Sequence, residues 1–167
     1  MIRFATIGSN FIVDQMLDAA KHCPGFAYEA VYSRTQERAD EFAAKYGVKK
    51  TYTCLEALAA DPDIDAVYVA SPNLCHKEQA IALMRAGKHI LCEKPMVLTE
   101  ADARECFALA REKNLFLMEA MWTRCLPALR KAREWIEEGR IGEIRSANSV
   151  IGFNAGNNFA GRILNPD

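Results

Sequence analysis

The sequence predicts an α/β fold: a doubly wound parallel sheet, followed by the beginning of a second, α+β domain. Three observations lead there. Short apolar runs of four to seven residues alternate with amphipathic segments from the first residue onward. The runs are apolar on both faces, as a sheet covered by helices on both sides requires. Glycine, proline or a capping side chain punctuates most of the junctions.

Ile2–Ile7 is the first strand, a near-continuous apolar run closed by Gly8. Residues 12–22 then show helical spacing, with Ile12, Met16 and Ala20 on one face, and stop at Pro24-Gly25. Phe26–Tyr32 is the second strand. Helix Gln36–Tyr46 can be capped by Thr35 and ended by Gly47. Residues 49–53 make a short strand, and Leu55–Ala60 a short helix cut off by Asp61-Pro62. Residues 66–70 are apolar apart from Tyr68 and run into Ser71-Pro72. A helix over 74–86, closed by Gly87, leads to strand His89–Cys92, helix 101–113 and strand 115–118. Right-handed crossovers wind such a chain onto both faces of one sheet. Ligands of these sheets bind outside the carboxyl ends of the strands, so the residues just after each strand are the candidates for function.

After about Met121 the pattern changes. A helix over 127–138 carries Leu129, Arg133 and Ile136 on one side and ends at Gly139; a longer strand is expected over 144–153. Residues 154–167 are rich in Asn and Gly and have no period. One helix and one strand make no core of their own. Residues 1–121 are therefore expected to form one domain, and 122–167 the opening of another that continues past Asp167. An unpaired strand over 144–153 would also predict self-association.

Composition narrows the partners. Of 167 residues 50% are hydrophobic, and 21 basic against 22 acidic side chains leave a net charge of -1. That balance gives no electrostatic footprint for nucleic acid or an anionic membrane. No apolar run approaches the roughly 20 residues of a membrane span. The start passes at once into strand-like sequence with no signal peptide, so a cytoplasmic protein is expected. The six cysteines stand 14 to 31 residues apart and the three histidines are isolated, which leaves no metal-ligand spacing.

Four sites after strands could carry chemistry. The first turn reads Gly8-Ser9-Asn10-Phe11-Ile12-Val13, which keeps only the first glycine of the dinucleotide fingerprint G-x-G-x-x-G. Gly8 permits the tight turn, Asn10 tolerates positive φ in place of the second glycine, and N–H groups at the helix start can face a pyrophosphate. The second strand ends at Ser33-Arg34, with Arg38 one helical turn on. An NAD enzyme usually has a carboxylate here for the ribose hydroxyls, and Glu29 lies inside the strand instead. Two guanidiniums suit a 2′-phosphate, which favours NADP over NAD. A solvated basic pair at the start of a surface helix is the plain alternative. Ser71-Pro72-Asn73 with His76 follows the fourth long strand; there Asn73 can cap the next helix, and His76 is either structural or functional. Cys92-Glu93-Lys94-Pro95 follows the fifth. It puts a carboxylate and an ammonium at the sheet edge, where a lysine in a low-dielectric cleft can serve as acid or base.

Together, Gly8 with its turn, Ser33-Arg34, Ser71-Pro72-Asn73 with His76 and Glu93-Lys94-Pro95 resemble the Gfo/Idh/MocA oxidoreductases. The string Glu119-Ala120-Met121-Trp122-Thr123-Arg124, followed by Leu126-Pro127, is similar to the dihydrodiol-dehydrogenase-like branch. The resemblance covers this chain but only the first half of a typical member. It implies a Rossmann domain binding NADP, with NAD as runner-up, then a β-sheet domain forming the substrate pocket and often a dimer face. The substrate would be a sugar, polyol or diol, and the protein a homo-oligomer. Lys94 would meet the nicotinamide ribose and the reacting oxygen, commonly on a cis Lys94-Pro95 bond. Ser9, Phe11 and Ile12 would belong to the phosphate turn, and Glu93, Trp122 and Arg124 to the cofactor side. A second catalytic His or Tyr is expected beyond Asn165-Pro166-Asp167. The competing expectation is a dinucleotide-binding or interaction module without turnover.

Overall fold

The computed structural model describes residues 1–150 and 152. The chain divides into two compact units, Met1–Trp122 and Thr123–Asp167. In the first, strands β1 (Ile2–Ile7), β2 (Phe26–Tyr32), β3 (Lys50–Tyr52), β4 (Ala66–Val69), β5 (His89–Cys92) and β6 (Leu117–Glu119) form one sheet in the order β3-β2-β1-β4-β5-β6. Every neighbouring pair is parallel. This is the doubly wound Rossmann arrangement, with the order reversing between β1 and β4.

Helices α1 (Phe11–Ala20), α2 (Gln36–Tyr46), α3 (Leu55–Ala60), α4 (His76–Arg85) and α5 (Glu100–Glu112) connect the strands. Side chains alternate across a strand, so each strand feeds two cores. Phe4 and Tyr68 join Val13, Leu17 and Phe42 of α1 and α2. Ala5, Ile7, Val67 and Val69 join Leu58, Leu83, Met84 and Cys106 of α3, α4 and α5. Each fully buried aliphatic side chain contributes roughly 1.5–3 kcal/mol, so continuous apolar strands hold helices on both faces.

Local signals set the ends. Thr35 Oγ1 accepts from Arg38 N at 3.4 Å to cap α2, and Gly47 closes it at φ 71°. Thr99 caps α5 by accepting from Asp102 N at 3.2 Å. Polar pairs pin the amino-terminal rim. Arg3 forks onto Asp65 with Nε and Nη2 at 3.1 and 2.8 Å, and the Lys88 ammonium donates to the carbonyls of Asp61 and Ile64.

Some expectations change. Helix α1 starts at Phe11 rather than at residue 12, because Asn10 caps it. A 3₁₀ turn, Asn73–Cys75, precedes α4 and shortens the helix expected over 74–86. The strand expected over 144–153 is not formed at residues 144–150, where Ile144 and Val150 are exposed. A strand needs a partner for its N–H and C=O groups, and no described neighbour there offers one. Residues 151 and 153–167, including the Asn- and Gly-rich tail, lie outside the described residues. The self-association argued from that strand loses its basis in residues 144–150.

The second unit contains α6 (Pro127–Glu137), begun by proline in its first turn and laced by Lys131–Glu134 and Arg133–Glu137 pairs at 2.9 and 2.7 Å. Among the described residues no helix is long and apolar enough to cross a membrane.

Candidate dinucleotide-binding site

Parallel pairing brings the carboxyl ends of β1, β4 and β5 to one rim: Ile7 pairs with Val69, and Val69 with Cys92. The hydrogen-bond ladder continues one residue past the strands. Gly8 N donates to Tyr32 O at 3.1 Å, Ala70 N to Ile7 O at 2.9 Å, and Glu93 N to Val69 O at 2.8 Å. Ala120 N donates to Cys92 O at 2.7 Å. The Gly8 turn, the Ser71 loop and the Lys94 loop therefore leave the sheet on the same edge.

Gly8 adopts φ +109°, and an added Cβ would meet the Ala70 carbonyl oxygen at 2.7 Å. Only glycine fits. Asn10 holds extended backbone at φ -103°, which corrects the positive φ expected there. Its Oδ1 accepts from Ile12 N and Val13 N at 3.0 and 3.4 Å, and its Nδ2 donates to Ala70 O at 2.9 Å. The Ile12 N–H is thus taken by the cap and not offered to a ligand. Among the described residues, the N–H groups of Ser9, Asn10 and Phe11 donate to no protein acceptor. Free N–H groups at a helix start, where the macrodipole is positive, make an anion site. Phe11 is 69% exposed and does not line the adjoining cleft.

The turn opens into a cleft of about 280 Å³, bordered on its other side by Ser33, Arg34 and Arg38. Ser33 is buried, and its N–H is fixed on Tyr52 O at 3.0 Å. Arg34 and Arg38 are exposed and make no ion pair among the described residues. No Asp or Glu lines the cleft. Glu29 stays within β2. Among the described residues the charged side chains lining the cleft are both cationic.

Ser71 closes the third side and donates its hydroxyl to Gln79 Oε1 at 2.6 Å. Pro72 and Asn73 begin the 3₁₀ turn; Asn73 offers a backbone carbonyl there and no side-chain cap, contrary to the capping role expected of it. His76 is fully buried. Its Nε2 lies 2.8 Å from the Ser71 carbonyl oxygen and its Nδ1 2.9 Å from that of Pro95, and whichever nitrogen carries the proton donates to its carbonyl. Neither ring nitrogen remains for a ligand, so His76 ties the Ser71 loop to the Lys94 loop instead of lining the cleft.

The Lys94 loop is braced at several points. The Lys94–Pro95 bond is cis, as the resemblance implied. Glu93 turns back to accept from the Tyr68 hydroxyl at 2.7 Å and from Lys94 N at 3.1 Å. Glu119 Oε1 accepts from Met96 N at 2.9 Å. Lys94 itself is exposed, not enclosed as the low-dielectric argument expected, and its ammonium has no partner among the described residues.

The structure thus gathers Gly8, Ser9, Asn10, Ser33, Arg34, Arg38 and Ser71 around one cleft. Lys94 and Glu93 stand on the same rim but do not line that cleft. Trp122 lies 61% exposed in a 3₁₀ turn just past β6. Arg124 belongs to the second unit, where it borders a separate hollow with Leu129 and Arg133. Cys75 and Gln79 also line the cleft, and sequence reasoning missed both. Their only signal was a place within the first turns after the fourth strand. Tyr68 and Glu119 were missed as braces; a lone hydroxyl in an apolar strand and a carboxylate ending the next one were the visible signs.

Comparison with known proteins agrees with this fold. The sequence model of an oxidoreductase family, described as having an NAD-binding Rossmann fold, matches residues 2–121. The chain is 44% identical over 145 residues to scyllo-inositol 2-dehydrogenase (NADP(+)) of Bacillus subtilis, covering 87% of this chain and 44% of that protein. It is 36% identical over 154 residues to mouse trans-1,2-dihydrobenzene-1,2-diol dehydrogenase, covering 91% and 46%. Among solved structures, a 3-ketoreductase from Actinomadura kijaniata, in complex with NADP and TDP-benzene, superposes with a TM-score of 0.78 at 37% identity, covering 86% and 46%. An NAD binding oxidoreductase from Klebsiella pneumoniae gives 0.77 at 34%, covering 85% and 40%. The chain spans a little under half the length of these relatives. On the match over residues 2–121, the chain belongs to the Gfo/Idh/MocA oxidoreductase family and carries its nucleotide-binding Rossmann domain.

Proposed function

We propose that the cleft at Gly8 binds NADP(H) and that Lys94 serves hydride transfer between the nicotinamide and a secondary alcohol or ketone of a sugar, polyol or diol. The observation that carries the NADP preference is the makeup of the cleft: Arg34 and Arg38 without carboxylate partners, and no Asp or Glu in the lining. A 2′-phosphate supplies the negative charge this wall lacks, while a ribose with free hydroxyls would find no acceptor of the usual kind. The free N–H groups of Ser9, Asn10 and Phe11 suit the pyrophosphate.

A bound nicotinamide supplies the hydride chemistry, and the chain supplies placement and charge. The exposed ammonium of Lys94 would donate a hydrogen bond to the substrate oxygen. In reduction it stabilises the negative charge that gathers there as hydride reaches the carbonyl carbon, and it passes a proton to that oxygen. In oxidation the proton returns along the same path. The sugar, polyol or diol class rests on the names of the relatives: an inositol dehydrogenase, dihydrodiol dehydrogenases and a 1,5-anhydro-D-fructose reductase from Ensifer adhaerens.

Lys94→Ala tests the chemical half of the proposal in preparations that turn over an inositol or a diol. The expected result is a kcat lower by about a hundredfold or more, with NADPH affinity nearly unchanged. Unaltered turnover would refute the role of Lys94.

A further inference from the structure

We infer that Tyr68 is a positioning residue for Lys94, acting through the carboxylate of Glu93. The inference rests on the role proposed for Lys94. Tyr68 is the only hydroxyl-bearing residue in β4, and its ring is buried in the core shared with α1 and α2. The hydroxyl reaches the rim and donates to Glu93 Oε1 at 2.7 Å; the other oxygen of the same carboxylate accepts from Lys94 N at 3.1 Å. One carboxylate therefore links a core side chain to the backbone of the exposed ammonium residue.

The far side of Lys94 is already held. The buried His76 ring packs 2.9 Å from the Pro95 carbonyl, and Glu119 accepts from the Met96 N–H. Glu93 N is fixed on Val69 O. The peptide between Glu93 and Lys94 is the link that depends on the Glu93 side chain, and that side chain takes its direction from Tyr68. Burial, and next the Glu93 carboxylate, push the Tyr68 hydroxyl far above its ordinary value, so it stays a donor at working pH. A phenylalanine would fill the same space in the core and lack only the donor.

Tyr68→Phe, with hydrogen exchange read at the Lys94 amide by NMR of uniformly nitrogen-15-labelled protein, separates positioning from packing. The Lys94 amide is expected to exchange roughly tenfold faster, because a charge-assisted hydrogen bond no longer holds its acceptor. The amides of Glu93 and Met96 should keep their rates, and NADPH affinity should stay within about twofold. In a Glu93→Ala background, the Tyr68 substitution should change Lys94 exchange no further. In preparations that turn over, kcat should fall while KM for the nucleotide holds. Unchanged Lys94 exchange in Tyr68→Phe, or an equal effect in both backgrounds, overturns the inference while the reading of the site stands. Failure of the unsubstituted chain to bind NADPH overturns that reading, and the role of Lys94 with it.

Discussion

The space that Gly8 leaves is filled by the carbonyl of Ala70: a Cβ there would stand 2.7 Å from that oxygen, which also accepts from Asn10 Nδ2 at 2.9 Å. The close approach locks the first turn against the end of β4, where the N–H groups of residues 9–11 donate to no acceptor among the described residues. Gly8→Ala meets both the backbone clash and the positive φ. We expect a loss of about 1–3 kcal/mol in urea denaturation, with weaker NADPH binding. Stability equal to that of the unsubstituted chain would show that the turn has room the geometry denies.

Arg34 and Arg38 border the cleft with no carboxylate partner among the described residues. Replacing either by alanine should weaken NADPH binding by roughly tenfold or more and leave NADH binding almost unchanged, since one or two charge-assisted bonds to phosphate are lost. Fluorescence titration with each nucleotide reads the difference. Equal losses for the two nucleotides would argue against contact with a 2′-phosphate.

His76 sits fully buried between the Ser71 and Pro95 carbonyls, with a ring nitrogen 2.8 Å from one and 2.9 Å from the other. A neutral ring carries one N–H, so His76→Leu takes the donor from one of these carbonyls and the packed ring from between both loops, and a buried acceptor left alone is costly. The expected loss is about 1–3 kcal/mol, measured by thermal or urea unfolding. A stable leucine variant would mean that the two loops hold together without the ring.

Acid should unfold the domain from its amino-terminal rim. Hydrogen bonds from the Arg3 side chain and backbone hold the Asp65 carboxyl at about 2. Burial pushes Asp61 up, but hydrogen bonds from Tyr52, Lys50 and the Asp63 N–H outweigh it and leave that carboxyl also at about 2. A carboxyl held lower in the folded state stabilises above its unfolded value and loses that contribution as pH falls through the folded one. Stability should therefore be full above about pH 4 and drain between about pH 4 and 2. Asp65→Asn should flatten the slope in that window. A slope unchanged by the substitution would remove the Arg3–Asp65 pair from the explanation.

Much of the fold was legible because strand and helix periods are local properties. The apolar runs at Ile2–Ile7, Phe26–Tyr32 and His89–Cys92, the Thr35 cap and the Gly47 stop all stand where the pattern puts them. The strand expected at 144–153 failed at residues 144–150 because pairing is not local; alternation there finds no neighbour. The site was legible to the extent that residues after parallel strands share a rim, which brought Gly8, Ser33 and Ser71 together. What side chains do to one another was not. Nothing in the spacing says that Asn10 spends Ile12 N on its own cap, that His76 lies between two carbonyls, or that Glu93 turns toward Tyr68.

Calorimetric titration of the chain with NADPH and with NADH, side by side, tests the central claim most directly. The account predicts one site per chain, saturable by NADPH, with NADH bound at least about tenfold more weakly for want of the phosphate that Arg34 and Arg38 await. Binding of neither nucleotide, or a preference for NADH, would contradict it.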